Sequence, residues 1–273
     1  MRVAWLAVLA VLTGISLFSV AYGGSVLEQE ARWLEARRQL TAGNAGAAKA
    51  AFDELLAQYP GEPDLHLFLG ITQLRLRNPD AAVASVKRAI SLEPKHVEAR
   101  TLLGWIELEI RGDVDEAIQQ YAKVVELKPD SPQAHVNLGV AYKHKGGFGA
   151  ALDSYNRALA MRPDHVEALS NRGWIFVEQE RWQEARRDFE QALQYKANDQ
   201  GALQGLAEVL EKSRDYAGAQ QVLNRLNAQS PNFVYWLQWG RLGLIRYWWV
   251  FLLVAVGFFA QSRYMKARIR AHG

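Results

Sequence analysis

The chain has 273 residues, 49% hydrophobic and 22% charged, with no cysteine and a formal net charge of +3. That composition excludes wholesale disorder, and the missing thiols exclude a disulfide framework, a thiolate-held cluster and a cysteine nucleophile. The positive excess is peripheral: Arg2, Arg241, Arg246, Arg263, Lys266, Arg268 and Arg270 lie outside 25–230, leaving 25 basic against 29 acidic residues in the middle. A nucleic-acid partner is therefore not expected, since binders of that kind carry the excess on the folded domain.

At the N-terminus, Val3 to Tyr22 is twenty residues without a charge, long enough to cross a bilayer as a helix. Two readings of 1–24 stand. Ser19-Val20-Ala21 offers small residues for signal cleavage, whereas the length of the run and the meagre charge before it favour an uncleaved anchor.

The middle is periodic. Small residues recur at Ala36, Gly70, Gly104, Gly139, Gly173 and Ala207, spaced 34, 34, 35, 34 and 34. An alanine column follows at Ala48, Ala82, Ala117, Ala151, Ala185 and Ala219, and four residues after each comes a bulky one: Phe52, Val86, Tyr121, Tyr155, Phe189 and Leu223. Prolines 60, 94, 129, 163 and 231 close units, with Ala197 in the remaining place. The one slip lies between Gly104 and Ala117. The turn Arg111-Gly112-Asp113 is its expected site, because a surface turn tolerates an extra residue better than a helix does. Each unit reads as two helices; in the fourth, 134–144 and 150–161 flank the breaker Gly146-Gly147. Six units result, at about 29–62, 63–96, 97–131, 132–165, 166–199 and 200–232. Glycine on the first helix allows close approach of the second, and the bulky residue is expected to fill space towards the next unit. No unit buries its apolar face alone, so neighbours must stack.

After the array, 233–241 reads as an aromatic interfacial linker, 242–262 as a transmembrane helix and 263–273 as a basic tail. Tyr247 to Ala260 is uncharged, and Leu242 to Ile245 extend it if Arg246 snorkels to the interface. Tyr235, Trp236, Trp239, Tyr247, Trp248 and Trp249 on one side, and Tyr264 on the other, suit the headgroup region. The positive tail places the C-terminus in the cytoplasm, and Arg2 agrees for the N-terminus. The array then faces the opposite side, the periplasm of a bacterial inner membrane.

The 34-residue period, the Leu69-Gly70, Leu103-Gly104 and Leu138-Gly139 pairs, the alanine and aromatic columns and the closing prolines resemble the tetratricopeptide repeat family over roughly 29–232. The resemblance implies an all-α fold, an α-solenoid of about six helix-turn-helix repeats, here flanked by N- and C-terminal transmembrane helices. It also implies that first helices line a concave groove. The groove residues by register are Trp33, Leu67, Ile71, Leu74, Trp105, Leu108, Val136, Val140, Lys143, Trp174 and Val177. Asn137 and Asn171 occupy the position where some members carry an asparagine ladder for peptide backbones; a local helix hydrogen bond is the other reading. Val136 and Val140 stand where a carboxylate clamp would need polar residues, so that type of chaperone-tail binding is not expected.

Catalytic chemistry is not legible. His135 and His144 share a helix without acidic ligands at metal spacing. The segment 143–149 lacks the Gly-Lys-Ser/Thr ending of a phosphate loop. Glu107 and Glu109 read as helix-surface charge. No catalytic residue, metal or cofactor is assigned, and the chain is expected not to be an enzyme. It reads as a membrane-tethered scaffold for protein–protein interaction or complex assembly, with a protein or peptide and the lipid bilayer as partners. Two alternatives are a structural subunit held by its membrane helices and a maturation factor that holds a client, as in cytochrome c biogenesis.

Overall fold

The computed structural model describes residues 30–229 and 231–272, and in the last helix the side chains as far as Val256 except at 251 and 255. The expected segment 1–24, the side chain of Tyr264 and those of the basic tail lie outside these residues. The described residues are helical throughout apart from turns, and the chain divides into two compact units, 1–129 and 130–273.

The first unit holds α1 (30–41), α2 (Ala45–Gln58), α3 (Pro63–Arg75), α4 (Pro79–Leu92), α5 (Val97–Trp105, continued by a π-helical stretch Ile106–Arg111) and α6 (Val114–Leu127). The second holds α7 (Pro132–His144), α8 (Phe148–Met161), α9 (Val166–Glu178), α10 (Trp182–Tyr195), α11 (Gln200–Lys212), α12 (Tyr216–Gln229) and α13 (Phe233–His272). Consecutive helices pair as hairpins: α3 with α4, α5 with α6, α7 with α8, α9 with α10 and α11 with α12.

Local chemistry explains the boundaries. Pro63, Pro79 and Pro132 open α3, α4 and α7, where a missing N–H costs nothing. Ser131 and Asp199 accept hydrogen bonds from the backbone N–H of Ala134 and Ala202, at 3.3 and 3.1 Å, capping α7 and α11. First helices stop at a left-handed residue: Gly43, Arg77, Gly112, Gly146, Glu180 and Arg214, all with φ between 56° and 86°. At Arg77 and Gly146 the next N–H, of Asn78 or Gly147, donates back to Gln73 or Tyr142 at 2.9 Å, closing the helix end. These six positions form a further column of the repeat.

The cores follow the small and bulky columns. Ala48, Ala82, Ala117, Ala151, Ala185 and Ala219 are all fully buried. A Cβ on Gly104, Gly139 or Gly173 would lie 2.8, 2.6 or 2.7 Å from the ring of Tyr121, Tyr155 or Phe189. Each ring therefore packs on the glycine of its own unit, a contact the expectation of filling space towards the next unit did not include. Phe189 does both, since it also lies against Gly205.

The extra residue of the third repeat is not in the turn. It widens the end of α5 into the π-helical stretch, where the N–H of Asp113 donates to the Glu107 carbonyl at 2.7 Å. A single added residue inside a helix commonly relaxes this way. Gly112 then closes the helix as its counterparts do. One consequence corrects the surface reading of Glu107: the residue is 2% exposed, and its carboxylate pairs with Arg111 at 3.3 Å.

Among the described residues no helix is long and apolar enough to cross a membrane. The expected linker 233–241 is helical and forms the first turns of α13. Its Tyr235 and Trp239 pack against the core of the second unit, and Leu242 is fully buried in that core. The start of α13 thus closes the stack rather than standing apart from it. Full burial of a leucine side chain stabilises by about 1.5–3 kcal/mol. Arg246 still reaches Gln220 on α12, at 3.5 Å.

Candidate functional site

In the first unit, Trp33 is half-buried and packs edge-on to Phe52 and Phe68, with centroids 5.9 and 5.0 Å apart. Ile71 and Leu74 are half-buried beside the α3–α5 core. Trp105 is 45% exposed. In the second unit Val140 and Trp174 are half-buried against the core, and Asn137, Lys143 and Asn171 are half-buried.

Four expected groove residues are placed elsewhere. Leu67, Val136 and Val177 are buried in the helix cores, and Leu108 is buried within the π-helical stretch. For the first three, the helical stripe that faces the partner helix is wider than the register implied. For Leu108, the π-helical stretch that takes up the added residue changes the direction in which its side chains leave the helix.

Asn137 accepts a hydrogen bond from Gln133 at 3.0 Å, one turn earlier on α7, and the same Gln133 amide donates to Glu167 on α9 at 3.1 Å. The side chain thus has the local helix bond. Lys143 is held below the ordinary lysine range by burial, with Glu178 pulling the other way.

A cleft of about 330 Å³ opens in the second unit among α9, α11, α12 and α13. Trp174, Gln204, Glu208, Glu211, Tyr235 and Arg241 are among the residues around it. Gln204 hydrogen-bonds the Tyr235 hydroxyl, and Arg241 pairs with Glu211. Tyr235, expected at a lipid interface, thus belongs to the wall of this cleft. Its spacing from Trp239 and Leu242, i, i+4, i+7, is the signal in the sequence that this face of α13 is buried.

Among the described residues no group of three histidine or carboxylate side chains could hold a metal ion. His96 and His165 open α5 and α9 at one register. His96 accepts from Ala99 N–H at 3.4 Å through Nδ1 and contacts Asp64 at 3.1 Å through Nε2. His165 is 3% exposed, and neither ring nitrogen has a hydrogen-bond partner. Burial pushes its pKa below the ordinary histidine value, helped by Arg162. These are helix-start histidines rather than members of a reactive set.

Known proteins share these features. A family profile described as tetratricopeptide repeat matches residues 34–76 and 69–132. Another, described as the tetratricopeptide repeat protein 21 N-terminal ARM repeat, matches 115–238. Over 34–238 the chain is a tetratricopeptide repeat protein, and its fold is that of stacked helical hairpins. No curated protein sequence matches it. Among solved structures it is similar to PilW, described as a widely conserved type IV pilus biogenesis factor, with TM-score 0.68, 18% identity and coverage of 76% of this chain and 96% of that one. Pseudomonas aeruginosa pilF gives 0.67 and 16%, covering 78% and 96%. MamA gives 0.54 and 23%, covering 59% and 94%. Identities this low establish the shared fold alone.

Proposed function

We propose that the chain is a non-enzymatic scaffold that captures a segment of a protein partner on the first-helix faces of its repeats while α13 tethers it to a bilayer. The observation that carries the capture is Trp105. A tryptophan left 45% exposed on a first helix is the kind of anchor that interfaces concentrate. A structural relative described as a pilus biogenesis factor supports an assembly role without specifying one.

The tether rests on α13. Beyond Arg246 its described apolar side chains, from Tyr247 to Val254 and Val256, are exposed. The uncharged run reaches Ala260 in sequence, and Arg263, Lys266, Arg268 and Arg270 follow. Hydrocarbon is the environment that such a run suits, with Trp248 and Trp249 at the headgroups and the basic end in the cytoplasm. The array would then lie in the periplasm. A fixed structural subunit is the second reading, favoured by the unbroken passage of α13 from core to apolar run.

Photo-crosslinking tests the capture. With Trp105→p-benzoylphenylalanine in cells, a discrete protein adduct is expected, and its absence at useful expression would reject the reading. Protease added to spheroplasts should cleave 30–229; protection there, with cleavage in inverted vesicles, would reverse the assigned side.

A further inference from the structure

We propose that the outer side of α13 pairs in parallel with α13 of a second copy of this chain, along Phe233, Leu237, Gly240, Leu244, Tyr247 and Val254. This rests on the tether reading above and names what one side of the tether meets. These residues follow one another in steps of four and three, with Phe251 in the place between the last two. That is the 3.5-residue period of a two-helix seam. The opposite side of the same helix is already occupied: Tyr235 and Trp239 pack on the core of the second unit, and Leu242 is buried in it. The second unit therefore lies away from the seam and leaves it open. The first turns of α13 carry apolar residues on both sides, and the fold accounts for one side only.

Before Arg246 the outer side faces water in the tether reading, because the apolar run suited to hydrocarbon starts beyond it. Phe233, Trp236, Leu237 and Leu244 are 75%, 63%, 57% and 61% exposed there. Together they leave on the order of 500 Å² of apolar surface per copy, against roughly 800 Å² per partner in a stable complex. Confinement of both copies to one bilayer offsets the difference by raising their effective concentration. Gly240 suits the close approach of two backbones, since a Cβ there would meet nothing within 4 Å. The occupant is a second copy for a geometric reason. A bilayer tether gives every copy the same direction, so two copies meet in parallel. A parallel pair sets each residue of the stripe opposite itself, the self-complementary contact of a two-fold axis. The stripe holds no charged residue, so nothing in it repels its own image. Arg241 flanks the seam, and its charge is taken by Glu211 of its own copy.

Because the chain has no cysteine, single cysteines report the seam directly. Leu237→Cys, Gly240→Cys and Leu244→Cys lie on it, whereas Gln238→Cys and Ile245→Cys lie one residue off, about 100° around the helix. In membranes from cells making the full chain, copper–phenanthroline oxidation should link the homodimer about tenfold faster at the three seam positions than at the other two. Leu237→Asp combined with Leu244→Cys should slow linkage about tenfold by setting two carboxylates face to face, and Gln238→Asp in its place should not. Leu237 and Gln238 are both exposed, and thermal melts check that neither change unfolds the repeats. Sedimentation with carbonate-washed membranes reads the tether separately. A membrane-bound chain linked equally at all five positions, or at none, overturns the pairing and leaves the tether standing. Linkage to a different protein in place of the homodimer overturns the second copy as occupant. A chain that washes off the membranes overturns the tether and the pairing with it.

Discussion

Helices α5 and α9 occupy one register of the repeat, and each carries a tryptophan after its glycine. Trp105 stands in solvent, whereas Trp174 leans on Phe189, edge to face with centroids 5.6 Å apart, and borders a cleft. Around them the differences accumulate. His96 caps α5, while His165 opens α9 uncapped. The π-helical stretch begins directly after Trp105, whereas α9 runs as regular helix to Glu178. The repeat thus assigns each residue an address but not an environment, because exposure depends on which neighbour fills the adjoining space.

The sharpest test of that contrast is alanine substitution of the two tryptophans. Trp174→Ala should cost about 2–3 kcal/mol in urea unfolding, since a half-buried ring and an aromatic pair are lost. Trp105→Ala should cost under about 1 kcal/mol. Equal costs would erase the distinction between anchor and core.

The helix starts give the next effect. His165→Ser, which installs the residue found at Ser131, should stabilise by about 1 kcal/mol through a restored cap. Wild-type stability should also depend on acid. The His165 pKa is lowered in the fold, so the unfolded chain binds the proton first. Stability is then fully present above the ordinary value of 6.5 and declines as pH falls from there towards the lowered folded value. Melts between pH 7.5 and pH 5 should show this slope flattened in His165→Ser; an unchanged slope would remove His165 as its source.

The smallest effect lies at the helix ends. Glu180 holds φ 56° without being glycine, whereas its counterpart after α5 is Gly112. Glu180→Gly should stabilise by about 0.5–1 kcal/mol and Gly112→Ala should destabilise by a similar amount, read as shifts in the urea midpoint.

Period and composition make the helical hairpins and the buried alanines legible, because each depends on residues within one repeat. The site is less so. Leu67, Val136 and Val177 carry groove register yet are buried, since a first helix touches more than one neighbour and only the outermost strip escapes. The added residue shows in the spacing but its place does not: backbone hydrogen bonding absorbs it within the helix, turning Leu108 inward and burying Glu107. The left-handed column is present as Gly43, Gly112 and Gly146, but Arg77, Glu180 and Arg214 disguise it. Tyr235 and Trp239 look like membrane aromatics because amphipathic rings suit a protein core and a headgroup layer alike.

Since α13 runs from Phe233 to His272 without interruption, its two ends behave as one shaft. Adding a single residue between Arg246 and Val250 would turn whatever the distal end grips by about 100° and shift it by about 1.5 Å relative to the cleft. Azimuth, and not distance alone, is thereby set between the two ends of this helix.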